Sequence, residues 1–185
     1  MSNKYKFGDN DKLYFVTLTV VQWIDLFIRL EYKSIIYESL EYCQKKKGLE
    51  LYAYCIMPSH IHMIIGSSKN KLPDIMRDLK KHTSRELKSC IESNQKESRR
   101  EWLLSLMREV GANNSNNVGF QLWKQDSHPV VLDNEKIMEH KLAYIHDNPL
   151  VARFVDDPSA WVDSSCSFYA RGSSPRVSLL NLYGD

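Results

Sequence analysis

LYAYCIMPSHIHMIIG, residues 51–66, reads as two short apolar strands, LYAYCIM and HIHMII, joined by Pro58-Ser59. Side chains alternate between the faces of a strand, so His60 and His62 fall on one side. Ile61, Met63 and Ile65 fall on the other, a face suited to burial. Two imidazoles side by side on an exposed strand face can bind one divalent metal. Two half-buried histidines at a strand start give the same pattern, so a bare His-x-His pair does not by itself establish a site.

Outward from this pair the chain alternates strands and helices. Upstream, YFVTLTV (14–20) is β-branched and aromatic and predicts a buried central strand. Residues 21–32 read as a connection anchored by Trp23, Leu26 and Phe27. Residues 33–47 predict a helix, with Ile36, Leu40 and Cys43 at helical spacing and KKKG closing it. Downstream, 70–91 predicts a second helix capped by Asn70, its apolar stripe running through Ile75, Leu79, Leu87 and Ile91. A polar linker (92–100), a short helix (101–110) and a loop (111–119) follow. FQLWKQ (120–125) reads as another strand. Residues 133–148 predict a third major helix, capped by Asp133 or Asn134 and stopped by Pro149. VSLLNL (177–182) reads as a last edge strand.

This order predicts an α+β fold, a ferredoxin-like sandwich with helices packed on a central, mostly antiparallel sheet. The 185 residues suffice for a single domain with a substantial core, about 12–155, and a C-terminal tail, about 156–185. Apolar residues make up 43% and charged residues 26%, an ordinary globular balance. The net charge of +2 neither demands nor excludes nucleic acid. The four cysteines form no C-x-x-C pair, which argues against a zinc knuckle. With no signal peptide, free thiols and a cytoplasmic location are the expectation. No apolar run reaches the roughly 20 residues of a membrane span.

The helix 133–148 carries the second half of the chemistry. Tyr144 and Asn148, four apart, project from one face, which His140 shares. Two histidines on a strand, with an amide oxygen and a phenol on one helical face, are the parts of a metal-assisted attack on a phosphodiester. The imidazoles and the amide would hold Mg²⁺ or Mn²⁺, and the phenol would be the nucleophile. The helix 70–91 carries an excess of positive charge through Arg77, Lys80, Lys81, Arg85 and Lys88. That run reads either as a solvated face or as a surface for phosphates.

PSHIHMII resembles the His-hydrophobic-His motif of the single-tyrosine HUH transposases. LWKQDSHPVVL, followed by KLAYIHDNPLVARFV, resembles the catalytic-helix block of their REP-associated tyrosine branch, where Y-I-H-x-N-P stands at this place. WVDSSCSFY (161–169) resembles the region that follows it. The resemblance spans about residues 12–170. It implies Tyr144 as nucleophile and His60, His62 and Asn148 as metal ligands. It also implies a single-stranded DNA substrate bearing a hairpin, cut to a 5′-phosphotyrosine and a free 3′-OH. Phosphate contacts would come from the basic helix 70–91, and aromatics would stack unpaired bases.

His146 is turned away from Tyr144 by its spacing and is not assigned as a ligand. The competing reading is a domesticated hairpin-DNA-binding protein that no longer cuts; binding alone needs no phenol near a metal. A zinc hydrolase using a third histidine (His82, His128 or His140) lacks a general-base glutamate beside the pair. Monomer and homodimer are both compatible with this pattern.

Overall fold

Apolar alternation on both faces builds a four-stranded sheet. The computed structural model describes residues 7–9, 11–114 and 119–184. Its strands are β1 (Tyr14–Thr19), β2 (Leu49–Ile56), β3 (His60–Ser67) and the two-residue β4 (Val130–Val131). They lie in the order β2-β3-β1-β4, and each neighbouring pair is antiparallel. Helix α1 (Leu30–Lys47) crosses from β1 to β2, and α2 (Leu72–Ser93) and α3 (Arg100–Ala112) lie between β3 and β4. This is the expected ferredoxin-like α+β arrangement. Helix α4 (Glu135–Val151) and the short α5 (Cys166–Arg171) follow the sheet.

The two faces of the sheet bury different things. Val16, Leu18, Ile61, Met63 and Ile65 join α1, α2 and α3 in the larger core. Phe15, Ala53, Cys55 and Ile64 join Leu142 and Ile145 of α4 in a smaller one. Burial on both faces explains why β3 reads as a nearly continuous apolar run. Two glycines are required by geometry. Gly48 closes α1 at φ 75°, a left-handed conformation that costs glycine little. Gly111 faces the Phe120 backbone, where a Cβ would come within 2.4 Å.

Several expectations are corrected. Helix α4 does not stop at Pro149 but runs through it to Val151, with Pro149 itself buried. Asn134 is its cap, accepting from Ile137 N at 2.9 Å. Asn70 does not cap α2, whose cap residue is Lys71 without a side-chain bond. Residues 120–125 are not a strand: Trp123 makes one bridge, to Val20. Gln121, Leu122 and Trp123 are all buried, because α3 takes Gln121 N through Met107 O and α2 takes the Trp123 indole through Thr83. Packing from three sides overrides the alternation. Residues 177–182 are irregular as well. Beside them β2 carries a bulge between Leu51 and Ala53, which breaks the ladder a partner strand would need. The tail instead closes that edge piecemeal, through Leu180 N to Leu51 O and Ser165 N to Tyr54 O. Of the loop expected over 111–119, residues 115–118 lie outside the described residues.

All four cysteines are unpaired. Among the described residues no helix is long and apolar enough to cross a membrane.

The polar linker after α2 has a structural use. Glu97, its side chain fully buried, takes Arg29 Nε at 2.7 Å and Arg99 Nε at 3.1 Å. Tyr32 Oη donates to it at 3.3 Å, and Arg99 also donates to Asp25 O at 2.9 Å. Burial alone would raise the Glu97 pKa; hydrogen bonds from Arg99 and Arg29 outweigh it and hold the group at about 2. A depressed folded pKa contributes stability above the unfolded pKa that is lost as pH falls through the folded one. From the ordinary value of 4.5 down to about 2, acid should therefore remove a contribution of about 3 kcal/mol. Glu97→Gln should cost about 3 kcal/mol at neutral pH and flatten the melting temperature across that window. Thermal melts of both proteins at several acid pH values test this; parallel profiles would show that acid acts elsewhere.

Candidate active site

Antiparallel register places the histidines. His60 lies opposite Thr19, and His62 lies opposite Thr17 on β1 and Cys55 on β2. Their side of the sheet is not open as the sequence suggested: α4 covers it, and His62 is only 4% exposed. His60 is half-buried. The two rings meet edge to face with centroids 4.7 Å apart.

Helix α4 brings the other two residues to this pair. Asn148 Nδ2 lies 3.3 Å from His62 Nε2, joining positions 86 apart in the chain. The Tyr144 ring lies 5.2 Å from that of His62 and 5.8 Å from that of Phe15. Tyr144 is 44% exposed. The four-residue spacing read from the sequence does put Tyr144 and Asn148 on one face.

Electrostatics keeps both imidazoles neutral near pH 7. Burial, then the charges of His60 and Lys141, drives His62 down to about 3. Burial also lowers His60, opposed by a hydrogen bond with Asn148 and by Asp25. Thr17 Oγ1 sits 2.9 Å from His62 Nδ1. With Thr17 accepting from Nδ1–H, the Nε2 lone pair faces Asn148. Rotating the Asn148 amide by half a turn puts Oδ1 where Nδ2 stands. The donor set is then two imidazole nitrogens and one amide oxygen, which suits Mg²⁺ or Mn²⁺ completed by water and phosphate oxygens. Among the described residues no three of His, Cys, Asp and Glu are grouped to hold a metal. A zinc site built on a third histidine therefore has no support.

Three further histidines lie away from the pair. His146 is buried on the far side of α4, with Nε2 2.9 Å from Ser165 Oγ. Ser165 in turn bonds the Tyr54 backbone, so this contact pins α4 and the tail to β2. His140 is exposed on α4, and His82 lies on α2 beside Glu86.

The basic residues of α2 are not brought to the histidine pair. That helix packs on the opposite face of the sheet. Arg77 is held by Asp74 and Asp78, Arg85 by Glu86, and Lys88 lies 3.8 Å from Glu92. Lys80 donates to the Lys124 and Gln125 carbonyls, and burial lowers its pKa to about 8. Lys81 is exposed.

Other residues enter that sequence reasoning did not single out. Lys141, one turn before Tyr144, sets its ammonium 5.4 Å from the Tyr144 ring centroid and 4.5 Å from that of Phe15. Its three-residue spacing from Tyr144 was the available signal. Thr17 and Phe15, whose ring stacks on His62 at 5.4 Å, could be found only once β1 was paired with β3. Trp23, expected as a buried anchor, is 55% exposed, while Leu26 and Phe27 are buried as expected.

The model of the IS200-like transposase family matches residues 16–118, over half the chain and including both histidines. It ends before α4. A solved structure of a REP-associated tyrosine transposase bound to a REP hairpin superposes with a TM-score of 0.66. The identity is 17%, over 98% of this chain and 93% of that one, a likeness of fold. A candidate transposase from Deinococcus radiodurans R1 reaches a TM-score of 0.46 at 18% identity, over 80% of this chain and 97% of that one. No curated protein sequence is significantly similar to this chain.

Proposed function

Because this chain belongs to the IS200-like transposase family, we propose that it cuts and rejoins single-stranded DNA through a phosphotyrosine formed on Tyr144. The observation that carries this reading is the meeting of Tyr144, His62, His60 and Asn148 within one chain, from β3 and α4. A fold needing only to bind DNA gains nothing from a phenol held beside two neutral imidazoles. Mg²⁺ or Mn²⁺, when held by His60, His62 and Asn148, supplies the positive charge that polarises the scissile phosphate.

This chain's own residues do the rest. The Tyr144 hydroxyl gives its proton to solvent as its oxygen attacks phosphorus, and the departing 3′ oxygen takes a proton from solvent. The Tyr144 oxygen–phosphorus bond forms and the bond to the 3′ oxygen breaks, leaving a 5′-phosphotyrosine and a free 3′-OH. A 3′-OH attacking the phosphotyrosine reverses the step and joins strands without an external energy source. Lys141, with its ammonium 5.4 Å from the Tyr144 ring centroid, would offset negative charge gathered as the phenol attacks. Thr17 holds His62 in orientation.

The substrate would be single-stranded DNA with a hairpin. The fold shared with a hairpin-bound REP-associated transposase and the Tyr144-Ile145-His146-Asp147-Asn148-Pro149 block support that choice. Since α2 lies across the sheet from Tyr144, any phosphates it takes through Lys81 or its neighbours belong to DNA remote from the scissile bond. The nucleophile and the histidines come from the same chain, so a monomer would carry a complete site.

The test is a labelled hairpin with single-stranded flanks, incubated with protein and Mn²⁺ or with EDTA. A covalent protein–DNA adduct is expected only with the metal. Tight hairpin binding without an adduct under any metal would favour the domesticated DNA-binding protein instead.

A further inference from the structure

Trp23 stands beside the histidine pair in a conformation that packing does not require. Gln22 and Trp23 both have positive φ, 54° and 56°. Such values cost a side-chain-bearing residue roughly 1–3 kcal/mol and persist only where neighbours enforce them. Here the neighbours do. Val21 N donates to Leu122 O, Trp23 N to Val20 O, and Phe27 N to Pro58 O. Val21 and Ile24, on either side, are buried. Yet the strained turn does not bury the indole, which stays 55% exposed. A turn kept for stability would put its largest ring inside.

The turn aims the ring at the site instead. The Trp23 ring lies edge to face with His60, centroids 5.4 Å apart. It thereby extends a row of rings through His60 and His62 to Tyr144. Lys124 Nζ lies 4.6 Å from the Trp23 ring centroid. The Lys124 backbone is pinned at both ends: its N–H donates to Thr19 O, and its carbonyl accepts from Lys80. An exposed indole with a cation on an anchored backbone beside it is the combination that holds an unpaired nucleotide, the base on the ring and the phosphate on the ammonium.

We propose that Trp23 and Lys124 form a stacking subsite for one unpaired nucleotide flanking the scissile phosphate. The proposal rests on the single-stranded-DNA reading above and names how that DNA is gripped. The Lys124 ammonium would meet the phosphate while the base stacks on the indole. Trp23 acts by binding and positioning, with no part in bond making.

The test reads binding, in the Tyr144→Phe background with EDTA, so that it does not depend on cleavage. The probe is a fluorescein-labelled DNA hairpin with an oligothymidine tail, either intact or with one abasic residue moved along the tail. Trp23→Ala should weaken binding of the intact probe about 10-fold, and Trp23→Tyr should restore most of it. One abasic position should cost the Trp23-bearing protein a similar factor and cost Trp23→Ala almost nothing. Lys124→Gln should make the slope of log affinity against log salt shallower by about 0.7. Melting temperatures of the Trp23 variants should match or exceed that of the parent, since the ring is exposed. An abasic profile unchanged by Trp23→Ala overturns the subsite. A parent that binds tailed and blunt hairpins equally overturns both the subsite and the reading beneath it. A protein that cuts DNA but whose tail affinity ignores Trp23 overturns the subsite alone.

Discussion

Tyr144→Phe is expected to abolish the covalent protein–DNA adduct, with cleavage falling at least about 10⁴-fold, while hairpin affinity stays within about two-fold. The ring makes its contacts with His62 and Phe15 through carbon atoms, and phenylalanine keeps them. Tyr144 is 44% exposed as a residue, and among the described residues no hydrogen-bond partner of its hydroxyl would be left buried and unpaired by the change. Stability should therefore hardly change. A denaturing gel for the adduct, a binding titration and a thermal melt separate these effects. An adduct that persists in the variant would move the nucleophile to another of the ten tyrosines.

Asn148→Leu is expected to lose nearly all metal-dependent cleavage, about 100-fold or more, whereas Asn148→Asp should retain part of it with an altered metal preference. Leucine replaces the amide that faces His62 Nε2 with a group that donates to no metal. Aspartate keeps an oxygen at the same reach and adds charge. Neither change touches the Asn148 carbonyl, which still accepts from Ala152 N, so α4 should persist. Rates measured against Mg²⁺ and Mn²⁺ concentration for both variants decide the matter. Wild-type rates with unchanged metal dependence in the leucine variant would reduce Asn148 to a packing residue. His62→Ala is a less clean probe. His62 is buried against Phe15 and bonded to Thr17, so its loss should also cost about 1–3 kcal/mol of stability. His60→Ala, at a half-buried position, should spare the fold.

What the sequence by itself determined is what nearest neighbours encode. The period of two in HIHMII put His60 and His62 on one face and Ile61, Met63 and Ile65 on the other, and β3 obeys it. The four-residue spacing put Tyr144 and Asn148 on one helical face. The order of the first three strands and their helices was enough for the ferredoxin-like class, but the fourth strand is Val130–Val131 rather than the run 120–125 that alternation offered. Tertiary structure alone decided which face of the sheet each helix covers, because that depends on where the chain crosses rather than on any local pattern. Helix α4 landed on the histidine face, which turned an open pair of imidazoles into a buried, neutral one. Helix α2 landed opposite, which took its basic run away from Tyr144. Pro149 did not end its helix, because its own ring is buried and the chain beyond it keeps a helical bond, Ala152 N to Asn148 O. Trp23 reads from sequence as one more apolar anchor. Hydrogen bonds from Val21, Trp23 and Phe27 N–H groups to the carbonyls of Leu122, Val20 and Pro58, distant in sequence from one another, hold its strained turn so that the ring stays outside, beside His60.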